Sequence, residues 1–181
     1  MIKSTVPPCF FQITEEQSMD YSFRELTEKD NKAVAYLVRS SLEKVGLDIP
    51  GTAYFDERLD RFSELYGTDR ARYYVLTDEN GRVAGGIGFS EFAPMEATAE
   101  LQKLYLDDAD KGAGLGYRMV DFVEGKMREA GFKYSYLETH DRLEAAIHIY
   151  IKSGYREIER PAAVGHSAMT RFFIKDLRDE K

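Results

Sequence analysis

"DDADKGAGLGYRMV", residues 107–120, is the stretch that decides the fold of this chain. It places three glycines at alternate positions, Gly112, Gly114 and Gly116, between an apolar segment and a helix-like one. Glycines spaced in this way let several successive backbone amides face one anion, and a helix N-terminus adds unsatisfied N–H groups and about half a positive charge. The stretch therefore predicts an anion-binding turn or, as the alternative, a loop whose glycines only cap the chain.

Two nucleotide-binding motifs fit the same stretch less well. A P-loop ends in Gly-Lys-Ser/Thr, whereas Gly116 is followed by Tyr117 and Arg118, which excludes that motif. A dinucleotide-binding turn follows its strand directly and has a third glycine, whereas residues 107–111 intervene here and Tyr117 occupies that position. Because Glu138 ends the next strand, where an acidic residue would contact a ribose, a nucleotide-dependent redox protein stays a minor alternative.

The segments around this stretch alternate between strand and helix patterns. Residues 98–106 predict a strand before the turn, and apolar residues at helical spacing predict a helix from Leu115 to about Ala130. The remaining chain predicts a strand over 21–26, a helix from Thr27, a helix over 56–66, a hairpin of 72–77 and 82–92, a strand over 132–139, a helix over 142–154 and closing strands over 155–158 and 167–177. This order indicates an α/β (α+β) fold with a mixed sheet.

Composition limits the class of protein and its partners. We expect residues 1–20 to form a loosely attached tail and residues 21–181 a single domain. A net charge of −7 argues against nucleic acid as a partner, and no apolar run is long enough to span a membrane. Cys9 is the only cysteine, so a reducing cytoplasm is the expected location, and the three histidines lack metal-ligand spacing, so we expect no metal.

The segment KGAGLG, residues 111–116, resembles the Gln/Arg-x-x-Gly-x-Gly/Ala signature of the GNAT superfamily of N-acetyltransferases, with Lys in the first position. The segments ELQKLYL, residues 100–106, and AAIHIYIKSGY, residues 145–155, resemble the same family at the expected separations. The resemblance implies a mixed, mostly antiparallel twisted sheet with flanking helices and a splayed strand pair that holds CoA. It also implies transfer of an acetyl group from acetyl-CoA to a primary amine, which attacks the thioester directly; the acceptor is not identified.

The resemblance also assigns roles to particular residues. The backbone of Leu104, Tyr105 and Leu106 would hold the pantetheine arm and the acetyl carbonyl. The pyrophosphate would lie against Lys111, Gly112, Ala113, Gly114, Leu115, Gly116 and Tyr117. Tyr150 would act as general acid on the leaving thiolate and Glu100 as the base. One departure is Leu143, which stands where many members have Asn; Asp141 or Arg142 would then have to supply the missing polar contact.

Acetyl-CoA and an amine are thus the expected partners. We expect the amine to enter near residues 46–62, where Tyr54, Asp56 and Glu57 are candidate contacts, and near the glycine-rich strand 85–88. A possible homodimer would form through an exposed edge strand near the C-terminus. The alternative function is a catalytically silent module that binds or senses acyl-CoA without turnover.

Overall fold

The described part of the chain, residues 20–165 and 168–178 of a computed structural model, contains one seven-stranded sheet. The strands are β1 (Ser22–Glu25), β2 (Ala71–Thr77), β3 (Val83–Glu91), β4 (Thr98–Leu106), β5 (Tyr134–Thr139), β6 (Arg156–Ile158) and β7 (Arg171–Asp176). Their order in the sheet is β1-β2-β3-β4-β5-β7-β6. Only β4 and β5 pair in parallel, and the other neighbours pair antiparallel, which confirms the predicted mixed, mostly antiparallel sheet.

Helices cover both faces of the sheet because each has one apolar stripe. Helices α2 (Leu115–Glu129) and α3 (Glu144–Lys152) pack on one face, where Leu115, Met119 and Val123 enter the larger core cluster. Helix α1 (Asn31–Lys44) packs on the other face through Val34 and Val38 and similar residues. In the described residues no helix is long and apolar enough to cross a membrane.

The predicted helix over residues 56–66 is wrong in type. The segment instead forms short 3-10 turns, Ala53–Phe55 and Leu59–Leu65, and the second is interrupted by non-helical backbone at Arg61. Leu59 and Phe62 are fully buried as expected. Their spacing of three residues matches the three-residue period of a 3-10 helix as well as it matches an α-helix, so the apolar pattern did not distinguish the two.

Some of the sequence predictions concern residues outside the described part of the chain. These are residues 1–19 of the predicted tail, Cys9 among them, and His166. At the other end, the predicted closing strand begins only at Arg171 as β7. The short strand β6, not β7, lies at the edge of the sheet.

The glycines of β3 make room for one aromatic ring on β2. A Cβ atom at Gly86 would lie 2.4 Å from the hydroxyl oxygen of Tyr73, and one at Gly88 would lie 2.5 Å from the Cδ2 atom of the same ring and 2.6 Å from the Arg72 carbonyl oxygen. All three distances are shorter than van der Waals contact, so any side chain at either position would displace Tyr73. The sequence prediction that side chains are unwelcome in this strand is confirmed.

We expect Gly88→Ala to lower the free energy of unfolding by about 2 kcal/mol, because the added methyl group meets backbone that cannot rotate away. Gly125→Ala is the matched control. Gly125 lies inside α2 with nothing within 4 Å of its Cβ position, so the same substitution there is expected to stabilise by about 0.5–1 kcal/mol. Urea denaturation of both variants measures the difference; equal effects would contradict the close-packing interpretation.

Candidate active site

The sheet opens between its two parallel strands. β4 pairs with β5 only through Thr98, Ala99 and Glu100, opposite residues 134–136. β4 continues to Leu106 and β5 to Thr139, but beyond Glu100 the register contains no further pairs between them. The edge of β4 that faces away from β3 is therefore unpaired along its second half, within the described residues, and its N–H and C=O groups are available to an extended ligand. The splayed strand pair is confirmed.

A bulge in β4 lies at this opening. Gly88 pairs with Gln102 and Gly86 with Tyr105, so Lys103 and Leu104 together face the single residue Ile87. Lys103 has φ of +53°, a left-handed conformation that is uncommon for a residue with a side chain. The Tyr73 hydroxyl donates a hydrogen bond of 2.9 Å to the Lys103 carbonyl oxygen. This bond holds the bulge and re-aims the side chains of β4 that follow it.

The glycine turn ends in a row of free backbone donors. Gly112 and Gly114 have φ of +92° and +71°, which only glycine adopts at little cost. No backbone N–H of residues 112–116 donates a hydrogen bond to any atom of the described residues. The Tyr117 N–H, by contrast, donates to the Gly114 carbonyl oxygen at 3.1 Å. Free successive N–H groups at the start of α2 are the kind of donors that anions accept at helix N-termini.

Two residues of this turn that were predicted to contact the pyrophosphate, Gly116 and Lys111, contact other parts of the protein. A Cβ atom at Gly116 would lie 2.5 Å from the Cδ1 atom of Ile149, so this glycine lets α2 approach α3 closely. The Lys111 ammonium forms an ion pair of 2.5 Å with Asp108, which also pairs with Lys44. These two lysines lower the pKa of Asp108 to about 2. The positive charge of Lys111 is thus partly neutralised by its own turn.

Glu100 lies at the point where the strands separate, on the face of the sheet that α1 covers. Gln102 donates a hydrogen bond of 2.8 Å to its Oε2 atom, and the Tyr66 hydroxyl donates one of 2.9 Å to the Gln102 Oε1 atom. Burial raises the pKa of Glu100, and the nearby Glu138 carboxylate adds to this, whereas Gln102 and Lys103 act in the opposite direction. A carboxylate with a raised pKa is a stronger base than an exposed one.

Tyr150 lies on the other side of the opening. Helix α3 buries its side chain, which is 5% exposed and packs beside the rings of Tyr155 and Phe173. Its hydroxyl makes no hydrogen bond to the described residues, and burial raises its pKa, with a smaller contribution from Tyr105. A phenol in such surroundings keeps its proton until a basic atom reaches it, as a general acid must.

The polar residues before α3 each have a contact in the structure that differs from the predicted role of the missing Asn. Leu143 packs with the core cluster under α1. Arg142 donates to the Gly46 carbonyl oxygen at 2.6 Å, and Asp141 pairs with Arg171 at 3.5 Å. The Nδ1 atom of His140 accepts the Arg142 N–H at 3.1 Å. Each of these three neighbours of Leu143 is already engaged in holding the loop.

Sequence reasoning missed three polar residues that share the face of Glu100, namely Tyr66, Gln102 and Tyr136, and it considered Glu138 only as a ribose contact. The Tyr136 hydroxyl donates to Glu138 Oε1 at 3.2 Å. Alternation along β4 and β5 was the available signal, since it puts Glu100 with Gln102 and Tyr136 with Glu138 on one face. Of the predicted acceptor contacts, the Asp56 carboxylate raises the pKa of Lys103. The Tyr54 hydroxyl donates a hydrogen bond of 2.6 Å to Glu43, and Glu57 is exposed.

A concavity of about 670 Å³ lies away from the opening, between β1, β2 and α2. Several of its charged lining residues already pair with one another: Arg72 bonds Glu25 at 2.6 Å and Asp69 at 2.7 Å. Neither the free N–H groups of the glycine turn nor Glu100 or Tyr150 line it. We therefore place the candidate site at the β4–β5 opening. In the described residues no three His, Cys, Asp or Glu side chains cluster to hold a metal.

This geometry defines a class of protein: an α/β protein whose sheet opens between two separating strands, with an unpaired strand edge beside the free N–H groups of a helix N-terminus. A model of the Acetyltransferase (GNAT) family matches residues 39–155. The "Uncharacterized N-acetyltransferase YjgM" of Escherichia coli (strain K12) is 35% identical over 138 residues, which are 75% of this chain and 82% of that protein.

Solved structures resemble the fold. An acetyltransferase of the GNAT family from Staphylococcus aureus MU50 superposes with a TM-score of 0.75 at 19% identity, over 87% of this chain and 99% of the other. The structure of yncA from Salmonella typhimurium with its cofactor acetyl-CoA superposes with a TM-score of 0.66 at 20% identity, over 90% and 96%. The chain belongs to the GNAT family, and it is an acetyltransferase.

Proposed function

We propose that this enzyme transfers the acetyl group of acetyl-CoA to a primary amine. The observation that carries the proposal is the row of free N–H groups of residues 112–116 beside the unpaired edge of β4. The turn fits a diphosphate, and the strand edge fits the amide-bearing pantetheine arm that extends from it. The yncA structure with acetyl-CoA supports this ligand, and the N-acetyltransferase relative supports an amine acceptor.

The chemistry requires a neutral amine, a polarised carbonyl and a protonated leaving group. An ammonium of pKa about 10.4 costs about 4–5 kcal/mol to deprotonate at pH 7. We assign Glu100 as the base that accepts the proton of this ammonium, directly or through a water molecule. The amine nitrogen then bonds to the thioester carbon while backbone N–H groups of Leu104–Leu106 stabilise the oxygen. When the C–S bond breaks, Tyr150 donates its proton to the thiolate, and the nitrogen of the intermediate gives its second proton to the resulting phenolate. The products are an N-acetyl amine and CoA, and Glu100 releases the first proton to solvent.

Release of free thiol from acetyl-CoA in the presence of a panel of amines tests the function directly. The expected result is thiol release that depends on an amine, with a matching mass increase of one acetyl group on that amine. A protein that binds acetyl-CoA in calorimetry but releases no thiol with any amine would support the silent binding module and overturn the proposal.

We expect Tyr150→Phe to lower kcat about tenfold, because the thiolate must then leave without a proton donor; a thiolate of pKa about 8.5 is a moderately good leaving group, so the loss is limited. KM for both substrates should change little.

Tyr155→Phe is the matched control. Its ring centroid lies 5.9 Å from that of Tyr150, but its hydroxyl is bonded to Ser135 at 2.7 Å. This variant should lose about 1–3 kcal/mol of stability and keep its kcat. If Tyr155→Phe lost kcat to the same degree as Tyr150→Phe, the effect would be one of packing and the acid role would be wrong.

We also propose that the enzyme works in the cytoplasm as a single domain over residues 21–181, without a metal. One cysteine in 181 residues supports a reducing location. A homodimer through the sheet edge would use β6, which has only three residues. Sedimentation at several protein concentrations distinguishes monomer from dimer.

A further inference from the structure

Lys103 is placed at the candidate site by the bulge in β4. Its positive φ and the hydrogen bond from Tyr73 to its carbonyl oxygen hold its backbone in a left-handed conformation. Such a conformation costs a residue with a side chain about 1–2 kcal/mol, so the surrounding structure must impose it. The side chain lies on the α1-covered face with Glu100, and its Nζ atom stands 5.5 Å from the centre of the Phe62 ring.

The Lys103 ammonium is half-buried and forms no ion pair with any side chain of the described residues. Within the described residues it makes no hydrogen bond, and neither Asp56 nor Glu100, its nearest carboxylates, comes within ion-pair distance. The Lys103 ammonium lies over the Phe62 ring, and Phe62 in turn packs against Tyr66 and Tyr73. Burial lowers the pKa of Lys103, against the effect of Asp56 and Glu100. The Phe62 ring and the remaining contact with solvent stabilise this charge in part, but no anion of the described residues neutralises it.

Glu100, on the same face, also has an oxygen to spare. Its Oε2 atom accepts the hydrogen bond of Gln102, whereas its Oε1 atom accepts none from the described residues. The site therefore offers one free carboxylate oxygen and one free ammonium, held apart from each other. A ligand that brings an ammonium and a carboxylate of its own would satisfy both groups at once.

We propose that Lys103 binds an acidic group of the acceptor, so that the enzyme acetylates amines that also carry a carboxylate, such as amino acids. This inference rests on the function proposed above and adds the class of acceptor to it. The acceptor amine gives its proton to Glu100 while its carboxylate pairs with the Lys103 ammonium. An acceptor with several amines and no acidic group would instead bring positive charge towards Lys103.

The test compares each amino acid with its own carboxamide as acceptor for the wild-type enzyme. The carboxamide has the same skeleton and a less basic amine, so simple reactivity favours it. We expect kcat/KM to be about 10- to 30-fold higher for the best amino acid than for its carboxamide, mainly through KM. Equal or faster acetylation of carboxamides, or of polyamines, would overturn the inference about Lys103 and leave the acetyltransferase function intact. Thiol release that does not require an amine would overturn both the inference about Lys103 and the proposed transfer to an amine.

Lys103→Met then tests whether this side chain is the source of the preference. The ratio of kcat/KM for acid over carboxamide should fall towards one, and Lys103→Arg should restore it in part, because Arg keeps the charge. KM for acetyl-CoA serves as the measure of intact folding and should not change in either variant. A ratio that survives in Lys103→Met overturns the inference, since the acidic group is then bound elsewhere.

Discussion

Replacing Glu100 by Gln is expected to lower kcat about 100- to 1,000-fold, with KM for acetyl-CoA unchanged. Gln keeps the size of the side chain and can still bond Gln102, but it cannot accept the proton of an ammonium. The reaction then proceeds only through the small fraction of acceptor that is already neutral. Steady-state thiol release at saturating acetyl-CoA measures the effect.

The pH profile separates this role from a structural one. Because the unprotonated carboxylate is the active form, wild-type kcat/KM should rise as pH increases through the pKa of Glu100, which burial sets above 4.5. The Glu100→Gln variant should lack that limb.

Glu138→Gln is the matched control, since Glu138 shares the face and its charge raises the pKa of Glu100. This variant should keep most of its kcat and move the acid limb to lower pH. If Glu138→Gln lost more activity than Glu100→Gln, the base would be Glu138.

Ala113→Glu is expected to raise KM for acetyl-CoA about 100-fold with little change in kcat. Ala113 is exposed in the middle of the free N–H groups, so a longer side chain fits there but brings a negative charge beside the diphosphate. Two unit charges of like sign 4 Å apart repel each other by about 4 kcal/mol near a protein surface. Each tenfold loss of affinity corresponds to about 1.4 kcal/mol, so this repulsion is large enough for a 100-fold effect.

Ala113→Gln is the control of equal size and zero charge, and its KM should stay within about threefold of wild type. The difference between the two variants should shrink as salt is added, because the charges are exposed. If Gln raised KM as much as Glu, steric exclusion rather than charge would explain the effect. If neither variant changed KM, acetyl-CoA would bind elsewhere and the proposed function would lose its main support.

The local elements were largely predictable because they depend on periodic patterns. Leu115, Met119 and Val123 lie on the buried side of α2 as their spacing indicated, and the glycine strand is as closely packed as its composition suggested. The segment 56–66 was misjudged because an apolar spacing of three residues suits a 3-10 helix and an α-helix alike.

The candidate site was predictable only in part. Glu100 and Tyr150 were proposed through a family resemblance, but their partners follow from contacts across the chain. Tyr66 reaches Gln102 from 36 residues away, and Tyr73 reaches Lys103 from 30 residues away. No local pattern encodes such contacts, because they depend on how strands align.

By itself, the sequence determined where most strands and helices form and where the glycine turn lies, since propensity, apolar period and glycine are properties of neighbouring residues. Only the tertiary structure decided that β4 and β5 separate after Glu100 and that Gly116 serves the contact between α2 and α3. It also decided that Lys103 pairs with no carboxylate of the described residues. The physical reason is that strand pairing and burial are set by the packing of distant segments, and burial in turn decides which charges are left to bind a ligand.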